Sequence, residues 1–117
     1  MDAHNYIERS AQMLPDSLFS WSPIAGVRTF AQLFGHIAGS EMMFCADVTS
    51  DKAKEEDAIE KTATTKAALV AALKEAATYC QKAYSMSDAQ TAGTMQLFGR
   101  ERTKMFALVS NATHDCE

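Results

Sequence analysis

Apolar residues recur every three or four positions along four stretches of the chain, the spacing of one face of an α-helix. The first stretch runs from Asp2 to Leu14, with Ala3, Tyr6, Ile7, Ser10, Met13 and Leu14 as its inward stripe. Pro15-Asp16 closes it, because proline cannot continue a helix without losing a hydrogen bond. A non-repetitive connection then runs to Arg28 through Trp21, Ser22, Pro23 and Gly26, which are turn and breaker residues. Trp21 is expected to cap one end of the packed helices.

The second helix opens on Thr29 and Gln32, a capping box in which each side chain satisfies a backbone N–H of the first turn. Phe30, Leu33, Phe34, Ile37, Glu41, Phe44 and Cys45 follow at helical spacing, with Glu41 the one charged member. The pattern fades over Asp47 to Asp51, and the charged run from Asp51 to Lys61 reads as a solvated loop or helix extension. A third helix is predicted from Thr64 to Tyr84, with Leu69, Leu73, Ala76, Cys80 and Ala83 or Tyr84 on its stripe. Ser85 to Gly99 reads as a long polar connection. A fourth helix, from about Arg100, turns Met105, Leu108, Val109, Ala112 and Cys116 to one side.

No segment alternates with a period of two, so the expected fold is all-α: a four-helix bundle forming one domain over residues 1–117. Its long connections, after helices 1 and 3, leave non-neighbouring helices free to pair. Composition agrees. The chain is 47% hydrophobic and 22% charged, with only five Gly and two Pro, an inventory that favours helix over strand.

Charge narrows the function. A net charge of −4 and a pI near 5.3 disfavour nucleic acid as a partner, because an acidic surface repels phosphate. No apolar run is long enough to span a membrane. Three widely spaced cysteines, an odd number without a secretory leader, suggest reduced thiols in a cytoplasmic protein. Cys45 and Cys80, on apolar stripes, are expected to pack in the core as small hydrophobes.

Candidate chemistry then falls to the histidines, of which there are three. His36 shares its helical face with Gln32, Ser40, Met43 and Asp47, and His114 shares its face with Thr103, Ala107, Ser110 and Asn111. Both faces are small and polar, as at an open groove between helices or at an ordinary surface. Imidazole is the commonest transition-metal ligand, and if the helices pack side by side the two rings can converge. Nothing in the spacing of His4 recommends it as a ligand, and Cys116, two residues past His114, points away from it.

The segment from Pro23 through Gly26-Val27-Arg28-Thr29-Phe30-Ala31-Gln32-Leu33-Phe34-Gly35-His36-Ile37-Ala38-Gly39-Ser40 resembles the DinB-like family. Members enter their second helix by a proline-containing turn, a hydroxyl cap and an apolar pair, followed by His-Ile or His-Leu. The stretch Asn111-Ala112-Thr113-His114-Asp115-Cys116-Glu117 looks like the start of the family's second signature, H-x-x-E-H. The similarity extends over the whole chain in order and spacing, and it implies a bundle of the DinB-like type.

Carried over by residue, the resemblance implies a divalent metal (nickel, zinc or iron) held by His36, His114 and a third histidine four residues further on, past Glu117. With two imidazoles alone, an ion would be held weakly or the site would be empty. Gln32, Ser40, Ser110 and Asn111 are candidates to orient the two ligands. The resemblance further implies thiol S-transfer or hydrolysis on a small-molecule substrate, with a low-molecular-weight thiol as a possible co-reactant. The competing expectation is a non-catalytic scaffold that dimerises or binds a partner, and a homodimer is expected in either case.

Overall fold

The four amphipathic stretches form the four long helices of the computed structural model, which describes residues 2–114. In chain order the elements are α1 (Asp2–Met13), a 3-10 turn (Asp16–Leu18), α2 (Phe30–Thr49), α3 (Ala58–Thr62), α4 (Lys66–Tyr84), α5 (Asp88–Thr91), β1 (Thr94–Leu97), β2 (Arg100–Thr103) and α6 (Lys104–His114). Expectations for Asp115, Cys116 and Glu117 lie outside the described residues. No helix is long and apolar enough to cross a membrane among the described residues.

The central element is α2, which packs against α4, α3 and α6, while α1 lies on α4. Non-neighbouring helices therefore do pair. The capping box forms as expected: Gln32 N donates to Thr29 Oγ1 at 3.2 Å, and Thr29 N donates to Gln32 Oε1 at 2.9 Å. Two further N–H groups of this helix start donate to loop carbonyls, Phe30 to Trp21 and Ala31 to Phe19. A helix buried on most sides needs small or apolar residues on most sides, and α2 buries Phe34, Ala38, Met42, Cys45 and Val48 along with Gly35 and Gly39. Trp21 stacks on Phe30 at 5.4 Å between ring centroids, covering the start of α2.

The core has two parts. Phe34, Ala38, Met42, Leu69 and Leu73 fill one with Phe19. Phe44, Val48, Leu97, Ala107 and Leu108 fill the other. The stripe expected on the third helix is buried as read, from Leu69 to Ala83.

Five expectations need correction. On α1, Tyr6 and Met13 are exposed while His4 and Ala11 are buried, because His4 turns inward to meet Glu41. The last helix begins at Lys104 rather than Arg100, and it buries Ala107, Leu108 and Asn111 while Met105 and Val109 face outward. The connection before it holds α5 and an antiparallel hairpin pairing Leu97 with Arg100 and Thr94 with Thr103. Four-residue strands are too short to display a period of two. Their turn is Phe98-Gly99, both at positive φ (49° and 75°), as a two-residue I′ hairpin requires. A phenylalanine at such a position is not a turn signal, so the hairpin is invisible in the pattern.

The run from Asp51 to Lys61 is likewise more than a solvated extension, since it contains α3, packed on α2. Finally, Cys45 and Cys80 are not reduced thiols but a disulfide joining α2 to α4. Each sits on a separate apolar stripe, and the packing of those stripes brings the two Cα atoms to 5.3 Å, within the range a disulfide spans.

Candidate metal centre between two histidines

His36 projects from the middle of α2 and His114 from the end of α6, and the fold brings their rings to 6.2 Å between centroids, edge to face. They line an open cleft of about 360 Å³. Phe44 and Phe98 form its apolar wall, packed edge to face at 5.8 Å. Phe98 is 74% exposed at the strained tip of the hairpin. Ser110 and Thr113 complete the α6 side, and Glu56 stands opposite.

The environment of His36 is set by close backbone approach. A Cβ on Gly35 would stand 2.7 Å from the Cα of Glu60, and one on Gly39 would run into the carbonyl oxygen of Glu56. Glycines four apart lie on one helix face, so α2 presents a smooth track on which residues 56–60 sit. That seat carries three carboxylates to the imidazole. Glu56 Oε1 lies 3.8 Å from His36 Nε2, while Glu60 Oε2 and Asp57 Oδ1 lie 3.6 and 3.8 Å from Nδ1.

Arg28 closes the Nδ1 side. Its Nε donates to both oxygens of Glu60 at 3.1 Å, and its Nη2 lies 3.3 Å from His36 Nδ1, donating to it in the tautomer that leaves Nδ1 unprotonated. Nδ1 thus has a donor and two carboxylates beside it, so either tautomer of the ring finds a partner. Ser40 holds the Nε2 side, its Oγ donating to Glu56 Oε1 at 2.7 Å.

Among the described residues, two groups of side chains have ligand atoms close enough to share an ion, all lying within 4.8 Å of one another: His36 with Glu56 and His114, and His36 with Asp57 and Glu60. Imidazole and carboxylate donors suit zinc, nickel or iron, so the residues present fit a divalent transition metal.

The expected orienting residues divide. Ser40 reaches the cleft through Glu56, and Ser110 lines it. Gln32 is occupied in the capping box of α2. Asn111 points away from the cleft into the core, where its Nδ2 donates to Tyr84 Oη at 3.0 Å. Glu56, Asp57, Glu60 and Arg28 were missed because they belong to a loop and a one-turn helix without periodicity. The signal that could have found them is the Gly35/Gly39 pair, whose spacing on a helix demands a close neighbour.

The third histidine, His4, lies elsewhere. It is buried and its Nδ1 meets Glu41 Oε1 at 2.7 Å. Both line a separate cavity of about 280 Å³ with Cys80 and Tyr84.

Fold and cleft together define a helical bundle with a histidine–carboxylate centre between its second and last long helices. The chain belongs to the DinB superfamily, whose sequence pattern matches residues 2–117. It superposes on a DinB-like protein from Bacillus cereus with a TM-score of 0.83 at 14% identity, covering 97% of this chain and 77% of that one. A DinB-like protein from Bacillus subtilis gives 0.61 at 18% identity, covering 97% and 76%. At these identities the likeness is one of fold. No curated protein matches the sequence.

Proposed function

We propose that this chain is a divalent-metal-binding protein in which His36 and His114 hold the ion at the base of the cleft, serving thiol S-transfer or hydrolysis on a small molecule. The observation that carries the reading is the approach of two histidines from opposite halves of the chain to 6.2 Å, in a cleft with carboxylates at hand. A bound divalent ion acts as a Lewis acid, lowering the pKa of a thiol or water into the neutral range. The chain's own groups prepare for this. Nδ1 of His36 can carry the proton toward Glu60 and Asp57 when Nε2 is engaged. Phe44 and Phe98 offer an apolar wall against which a substrate's carbon skeleton would lie.

The test is metal content after zinc loading and dialysis. One equivalent bound by the wild type and lost in both His36→Ala and His114→Ala supports the reading, and retention in both variants contradicts it.

A second reading has its own observation. Met105, Phe106 and Val109 are exposed on the outer face of α6, a patch suited to a homodimer or protein partner. In the scaffold reading that face, not the cleft, is the working surface. Sedimentation of the wild type against Val109→Asp distinguishes a dimer through this face from a monomer.

A further inference from the structure

We propose that Glu56 is a carboxylate ligand of the same centre, beside His36 and His114, preassembled by Ser40 and by the glycine track of α2. This rests on the assignment of His36 and His114 as ligands and goes beyond it in naming a ligand from neither long helix.

Glu56 is the carboxylate on the Nε2 side of His36, and Nε2 is the nitrogen it faces at 3.8 Å. Glu56 and His36 also share a ligand set with His114, all three donor atoms within 4.8 Å. Two metal–ligand bonds of ~2.1 Å span at most ~4.2 Å, so an ion would draw these donors inward by small side-chain rotations. The rival group, His36 with Asp57 and Glu60, is already engaged by a cation. The Arg28 guanidinium sits on both oxygens of Glu60 and beside Nδ1, so a metal there would have to displace a paired positive charge. Asp57 and Glu60 instead stand where the carboxylate partners of a ligating histidine stand, on the ring nitrogen away from the ion.

The position of Glu56 is fixed independently of any ion. Its backbone carbonyl is seated against Gly39, where no other residue would leave room. Its Oε1, the oxygen that faces Nε2, accepts the Ser40 hydroxyl at 2.7 Å, and a carboxylate oxygen that accepts one hydrogen bond keeps a further lone pair for a cation. Imidazole nitrogens and a carboxylate oxygen are the donors found in catalytic zinc and non-haem iron sites.

The test is a cobalt(II) titration of the full chain followed by its visible d–d absorption, which reports both affinity and ligand number without any substrate. Glu56→Gln is the informative variant, because the amide oxygen can still accept from Ser40 and the backbone seat is untouched. It should weaken cobalt binding by roughly 10–100-fold and change the band shape, while Glu56→Asp retains a carboxylate and recovers part of the loss. Glu55→Gln, an exposed neighbour of the same charge, should titrate like the wild type. Unchanged cobalt binding in Glu56→Gln, alongside loss in His36→Ala and His114→Ala, would overturn the role of Glu56 and leave the histidine assignment standing. Unchanged binding in the two histidine variants would overturn both.

Discussion

The carbonyl oxygen of Glu56 occupies the space that a Cβ on Gly39 would need. One missing methyl group on α2 therefore lets a loop rest directly on the helix backbone, and that contact sets a carboxylate beside His36. Gly35 makes the same allowance for Glu60 one turn earlier.

Gly39→Ala should accordingly destabilise the fold. In a free helix the change would add about 1 kcal/mol of stability through propensity, but here overpacking against backbone costs about 1–3 kcal/mol or more. The expected result is a lower melting temperature together with weakened metal uptake, as Glu56 is pushed from its seat. A raised melting temperature would show that residues 56–60 do not rest on α2.

The disulfide is expected to contribute about 3–4 kcal/mol, from the loop of 35 residues in sequence that it closes in the unfolded chain. Chemical denaturation with and without reductant, or of Cys80→Ala, measures this directly. Equal midpoints in both conditions would mean that Cys45 and Cys80 are unpaired in solution.

His4 and Glu41 form a buried pair whose value lies in being complete. Removing one partner leaves the other polar and enclosed, which costs about 3–5 kcal/mol, whereas replacing both by apolar residues is often near neutral. His4→Leu should therefore be strongly destabilising, and His4→Leu with Glu41→Met much less so. Metal binding in the double variant should match the wild type, since the pair lies in a different cavity from His36.

Asp51 supplies a pH dependence. Hydrogen bonds from Lys82 and Thr49 hold its carboxyl below the usual carboxylate range, and Tyr79 also donates to it, at 3.2 Å. A folded-state pKa below the unfolded one means the stabilisation is present above about pH 4, the ordinary Asp range, and disappears as pH falls through the lowered value. Asp51→Asn should be slightly less stable than the wild type at neutral pH. The two should converge as the pH falls through the lowered value, and a gap that stays constant from neutral pH into strong acid would contradict the linkage.

Much of the architecture was legible because it depends on periodicity. The α4 stripe from Leu69 to Ala83 and the Thr29–Gln32 cap were readable as written, and so was the helical character of all four long elements. The buried faces of α1 and α6 were less so, because a hydrophobic stripe marks the inward face only when polar residues stay outside. Here His4 and Asn111 are inside, each held by a hydrogen bond to another helix. Within the site, His36, His114, Ser40 and Ser110 lie on helix faces that can be enumerated. Glu56, Asp57, Glu60 and Arg28 arrive through tertiary contacts of a loop, which no local pattern encodes. Their trace in the sequence is indirect, in the two glycines that leave them room.

The most direct test of the centre is anomalous diffraction at the zinc edge from crystals of the zinc-loaded protein. The account predicts a single strong peak in the cleft, bonded to His36 Nε2, His114 and a Glu56 oxygen. A peak on the Nδ1 side among Asp57 and Glu60, or none between the two histidines, would contradict it.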